Sequence, residues 1–187
     1  MIKKSVTVLI FFMITFVTSG YVQPNEYTID ASKNATLHNN IGLNNVFDQN
    51  YYDAIQEFNL AIALNPKSQA TSVYYNNLGE TYMKIGYFKE AQRCFENSIS
   101  LYKLNFLFYQ NLVKSFKAQK ITGAKIKIYA AKSEKNDLDM ITLGLLYVAN
   151  GDLRSGVIKL DEFCMKEPDL LITDAVRNYL KEIAPKD

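Results

Sequence analysis

The sequence predicts an all-α fold in which antiparallel helix pairs stack in a row and one further helix closes the C-terminal end. Three observations predict it. First, a short motif recurs at Ile41-Gly42, Leu78-Gly79, Leu112-Val113 and Leu143-Gly144, at spacings of 79 − 42 = 37, 113 − 79 = 34 and 144 − 113 = 31 residues. Second, apolar residues around each motif keep helical spacing. Tyr75, Leu78 and Tyr82 stand at i, i+3 and i+7, and Ala91, Phe95 and Ser98 do the same further on. Third, breakers fall between these runs. Gly86 permits a sharp turn, while Pro66 and Pro168 end helices because proline donates no backbone hydrogen bond. One such hairpin cannot cover its own apolar face, so copies must stack and the stack needs a cap.

Each element follows in order. Lys3-Lys4, the uncharged apolar run Val6 to Val17 and the small residues of Val17-Thr18-Ser19-Gly20 form a secretory signal pattern over residues 1–20. The small residues favour cleavage. The alternative is an uncleaved anchor over residues 5–22, the one route by which the chain would touch a membrane. No Cys lies near the signal to carry a lipid. Residues 21–34 show no sustained period and read as a flexible leader. The repeats then occupy residues 35–168, divided at about 35–68, 72–105, 106–136 and 137–168. A capping helix and tail fill 169–187. Leu171, Ala175, Tyr179 and Ile183 are expected to line the cap's apolar face, with Arg177, Lys181 and Glu182 in water.

Composition fits this plan. Of 187 residues, 48% are hydrophobic and 21% charged, enough for one core. Net charge is +2, and discounting Lys3 and Lys4 leaves 21 − 2 = 19 basic against 19 acidic residues. A formally neutral chain lacks the basic field that nucleic acid or an anionic membrane surface requires.

The stretches IGLNNVFDQNYYDAIQEFNLAIALNP from Ile41 and LGETYMKIGYFKEAQRCFENSISLYK from Leu78 share a residue set as well as a period. With a period near 34 they resemble the tetratricopeptide repeat family. The first copy carries Ile41, Gly42, Tyr51, Ala54, Phe58, Ala61 and Pro66 at signature positions, with Asn45 replacing a Tyr. The second carries Tyr75, Leu78, Gly79, Tyr82, Gly86, Phe88, Ala91 and Phe95, with Ser98 for Ala and Lys103 for Pro. The third keeps Tyr109, Leu112 and Phe116, then needs a one-residue deletion to align Ala124, Ile128 and Ala131. The fourth keeps Leu143, Gly144, Tyr147, Gly151 and Pro168, with Gly156 where Ala is usual and Phe163 where a small residue is usual. The resemblance implies a right-handed superhelical α-solenoid.

Residues able to do chemistry are sparse. The single histidine, His38, reads as a packing or surface residue, and no metal-binding pair, nucleophile motif or phosphate loop accompanies it. No catalytic residue, cofactor or metal is expected. Asp48, Asp53 and Asp152 read as helix-capping and dipole partners. Cys94 and Cys164 lie on second helices two repeats apart, beyond bridging distance, and are expected to stay as thiols.

The resemblance also implies where a partner would sit, because in that family the first helix of each repeat lines a concave groove. The matching positions are Asn39, Leu43 and Phe47, then Asn76, Glu80, Met83 and Lys84, then Gln110, Lys114 and Lys117, and finally Ile141, Leu145 and Val148. The groove would have a charged middle and apolar ends, suited to an extended peptide or a partner helix. The alternative for Ile141, Leu145 and Val148 is packing against the cap. Some family members grip the terminal carboxylate of chaperones, which needs basic residues near Asn39 and Leu43. None is there. The expected function is a non-catalytic protein–protein interaction scaffold, exported to the bacterial periplasm or secreted. The alternative is a structural subunit or assembly factor of an envelope or secretion complex.

Overall fold

The computed structural model describes residues 30–184. The expected signal segment at 1–20 and the expected leader as far as residue 29 lie outside the described residues. Among the described residues nine helices follow one another: α1 (Ala31–Phe47), α2 (Tyr51–Leu64), α3 (Gln69–Lys84), α4 (Phe88–Leu101), α5 (Phe106–Ala118), α6 (Thr122–Ser133), α7 (Leu138–Ala149), α8 (Leu153–Lys166) and α9 (Thr173–Ile183). No strand occurs among the described residues. Each helix packs mainly on its sequence neighbours, so the chain is a stack of helix pairs. The leader expected to run to Asn34 stops earlier. Asp30 accepts the Lys33 amide at 3.0 Å and so starts α1 at Ala31.

Two kinds of turn alternate along the stack. Within each pair, one residue takes the left-handed conformation: Gln49 at φ 62°, Gly86 at 82°, Lys120 at 60° and Gly151 at 92°. In every case the next amide bonds five residues back, as in Tyr87 N–H to the Tyr82 carbonyl at 2.9 Å and Asp152 N–H to Tyr147 at 2.9 Å. At three of the four turns between pairs, a hydroxyl latches the end of the second helix, the α6–α7 turn being the exception. Thr71 donates to the Asn65 carbonyl, Tyr109 to Lys103 and Thr173 to Glu167, each six residues back.

Close approach inside a pair depends on a missing side chain. The Phe58 ring lies over Gly42 and the Phe95 ring over Gly79, both rings fully buried. Leu160 fills the same place over Gly144. The third pair departs from this pattern. Val113 stands where the others have glycine, α5 touches α6 only lightly, and α5 packs directly on α7. The Phe116 and Tyr129 rings, 6.3 Å apart, span the widened gap. The degeneracy of the third copy is therefore a real opening of the hairpin, forced by the bulk of Val113.

The cap is the first helix of a pair that has no second member. Pro168 and Thr173 repeat the five-residue spacing of Pro66 and Thr71, and Thr173 makes the same latch as Thr71. In that register Val176 matches Tyr74, Leu180 matches Leu78 and Lys181 matches Gly79. A lysine where glycine would receive a second helix ends the stack. Half of the expected apolar face, Tyr179 and Ile183, packs inward, and two residues differ. Ile172 and Val176 are buried, with Tyr179, Leu180 and Ile183 packed beside them, whereas Leu171 and Ala175 are exposed. Leu171 precedes α9, and Ala175 shares the solvent face of Asn178 and Glu182. Arg177, Lys181 and Glu182 face solvent as expected.

Candidate binding groove

First helices α3, α5 and α7 converge with α9 around two adjoining hollows. One, of about 280 Å³, is lined by Glu80, Met83, Lys84, Phe95, Asn111 and Lys114. The other, of about 310 Å³, is lined by Gln110, Val113, Lys114, Lys117, Leu145, Val148, Ala149 and Tyr179. Lys114 borders both, so they form one continuous trough. Larger hollows lie elsewhere. One, of about 480 Å³, is lined only by Leu153, Arg154, Val157 and Ile158 of α8. Another, of about 440 Å³, lies beside the Gly86 turn. The trough joins charged, polar and apolar side chains from α3, α5, α7 and α9, which is what recognition of a peptide needs.

The structure places the expected groove residues in three groups. Glu80, Met83, Lys84, Gln110, Lys114 and Lys117 come together along the trough. Leu43 and Phe47 are exposed, Phe47 at 87%, but border neither hollow. Asn39 and Asn76 are not surface residues at all. Both are buried between neighbouring first helices, because a position just off the inner face meets the next helix of the stack instead of solvent. Ile141 and Leu145 are likewise buried, in the apolar cluster that contains Ile172 and Val176, and Val148 stays half-exposed at the trough. Tyr179 of the cap borders the far end of the trough beside Leu145 and Val148.

Sequence reasoning missed a polar ladder beneath the trough. Asn77 Nδ2 donates to Asn39 Oδ1 at 2.9 Å, joining α3 to α1. Asn111 Nδ2 donates to Asn76 Oδ1 at 2.9 Å and to Glu80 Oε1 at 2.7 Å, joining α5 to α3. Asn76 Nδ2 also donates to Glu80 at 3.2 Å, and Lys114 Nζ donates to Asn111 Oδ1 at 3.2 Å. Buried amides held on several sides fix the spacing of the first helices. One signal was available: Asn39 and Asn76 each stand three residues before the repeat glycine.

Charge in the trough is unbalanced. Glu80 is engaged by two amides, while Lys84, Lys114 and Lys117 are exposed and form no ion pair among the described residues. Other ionisable groups lie outside it. His38 Nδ1 is 2.6 Å from Glu57 Oε2 and ties α1 to α2. Asp152 accepts the Ser155 amide at 3.0 Å, and that hydrogen bonding lowers its carboxyl pKa. Cys94 and Cys164 are buried free thiols. Burial, then the Glu90 charge, pushes Cys94 up to about 12, and burial also raises Cys164, so neither has the character of a reactive thiolate. Among the described residues no three His, Cys, Asp or Glu gather as a metal would require, and no helix is long and apolar enough to cross a membrane.

Comparison with known proteins agrees with this architecture. Residues 72–105 match the model of the tetratricopeptide repeat. Among solved structures, a crystal structure of MamA protein is 17% identical, covers 81% of this chain and 90% of its own, and superposes with a TM-score of 0.50. A tetratricopeptide repeat protein from Parabacteroides merdae is 14% identical, covers 81% of this chain and 60% of its own, and gives a TM-score of 0.51. At such identities the likeness concerns the fold. No curated protein matches the chain in sequence. The matched repeat is α3 with α4, one tetratricopeptide repeat within a stack of helix pairs whose fold is similar to that of tetratricopeptide repeat proteins.

Proposed function

We propose that this chain is a non-catalytic scaffold that binds a segment of another protein along the trough of α3, α5 and α7. The observation that carries this reading is the trough itself. Unpaired Lys84, Lys114 and Lys117 surround apolar surface from Met83, Val113, Val148 and Tyr179, on helices held in register by buried amides. Such a surface selects an extended or helical segment that alternates carboxylates with apolar side chains. Location is part of the proposal. The signal pattern of residues 1–20 supports export to the periplasm or beyond, with retention by residues 5–22 as the alternative.

Affinity capture from the native cell envelope tests it. A partner retained by the unaltered chain is expected to be lost, or bound at least about tenfold more weakly, when Lys114 and Lys117 are both changed to Glu. The same reversal at Lys89, an exposed residue of α4 outside the trough, is expected to leave it bound. Equal retention by all three proteins would move binding away from the trough.

A further inference from the structure

The stack supplies its own ruler for what each first helix ought to bury. Shifting by the 37 residues between Gly42 and Gly79 places Leu37 on Tyr74, Ile41 on Leu78 and Asn44 on Thr81. In α3 these positions face the preceding second helix. Tyr74 clusters with Ala61 of α2, and Leu78 with Ala54 and Phe58. Tyr74 and Leu78 are each 3% exposed, whereas Leu37 is 56% exposed and Ile41 36%. The α1 helix therefore presents the same helix-receiving face as α3, with no described helix upon it.

From this face we infer that the chain pairs with a second copy of itself, α1 against α1 about a two-fold axis, with Leu37 and Ile41 at the centre. Two observations select a second copy. The first is topological. The forward face of every second helix is occupied: α2 by α3, α4 by α5, α6 by α7 and α8 by α9. No copy can offer a free second helix to the next, so head-to-tail growth is blocked, and a like-with-like contact closes at two. The second is charge. The seventeen residues of α1 include one Lys, one His and no carboxylate, and His38 is already held by Glu57. Apposing identical helices ordinarily brings like charges together, and here there is almost none to repel. Asn34 and Asn44 flank the apolar pair, and an amide, being both donor and acceptor, can bond to its own copy. A charged partner would find nothing on this face to select it.

Sedimentation velocity of the full chain, in the form the expressing cell delivers, tests the inference over a dilution series. A reversible monomer–dimer equilibrium is expected. Leu37→Glu combined with Ile41→Glu is expected to weaken dimerisation at least about tenfold while leaving the helical circular dichroism unchanged, since neither side chain is part of the core. As a second measurement, Ile41→Cys is expected to give a disulfide-linked dimer on mild oxidation, with buried Cys94 and Cys164 uninvolved. Lys114→Glu with Lys117→Glu is expected to leave pairing intact, which separates this inference from the reading of the trough. A monomer at every concentration would overturn it, with the face then covered by the chain's own preceding residues or by another protein. A dimer indifferent to the Leu37 and Ile41 changes would overturn it equally.

Discussion

Phe95→Ala is expected to destabilise the fold by about 3–5 kcal/mol, the largest effect of any single truncation considered for this molecule. At about 2–4 °C per kcal/mol for a chain of this size, the melting temperature should fall by about 6–20 °C. The reason is specific to the site. The ring is fully buried and lies over Gly79, where an added Cβ would stand 2.5 Å from Cε1 and 2.9 Å from Cδ1. Glycine and ring are thus two halves of one contact, and their substitutions should be coupled. Gly79→Ala alone should destabilise by overpacking, although alanine is the better helix former. Combined with Phe95→Leu, the added methyl enters space that the shorter side chain vacates, and the pair should cost less than the sum of its members. Strict additivity in thermal melts would contradict the placement of the ring.

Gly156→Ala comes second. Alanine is the usual residue of the family at this position, and in a free helix the change would stabilise by about 1 kcal/mol. Here it is expected to destabilise by about 1–3 kcal/mol. An added Cβ would meet the Val148 side chain and lie 3.0 Å from the Gly144 carbonyl oxygen and 3.1 Å from the Val148 amide nitrogen. Backbone atoms cannot turn aside as a flexible side chain can, so α7 and α8 would have to separate. Gly123 is the control. Nothing lies within 4 Å of a Cβ built there, and Gly123→Ala should be neutral or slightly stabilising. A chemical denaturation series in which the two changes behave alike would contradict the close crossing of α7 and α8.

The same two contacts mark how far the sequence could be read. Gly42 with Phe58 and Gly79 with Phe95 announce a helix pair, because small and large residues alternate at helical spacing in two similar stretches. Gly156 was visible only as a departure from the family, since its meaning depends on how closely α8 crosses Val148. The left-handed turns at Gly86 and Gly151 were legible from glycine. Those at Gln49 and Lys120 were not, because neither residue favours positive φ and the stack imposes it. The opened third pair could be sensed from Val113 without foretelling that α5 would reach past α6 to α7.

In the trough, the resemblance to tetratricopeptide repeats implied that first helices line the groove, and hence pointed to Lys84, Lys114 and Lys117. It failed for Asn39 and Asn76, whose partners lie some three dozen residues away on the next first helix. A helical wheel knows only its own helix. For Ile141 and Leu145 the alternative of burial at the cap end agrees with the structure, whereas Leu171 and Ala175 stand exposed where Ile172 and Val176 are buried.

The most direct test of the account is photo-crosslinking in living cells, with a light-activated side chain placed at Lys84 or Lys117 inside the trough and at Lys89 or Ile158 outside it. The same discrete protein adduct is expected from both trough positions and none from the outer two. Adducts formed only from the outer positions would contradict it, and would shift recognition to the second helices.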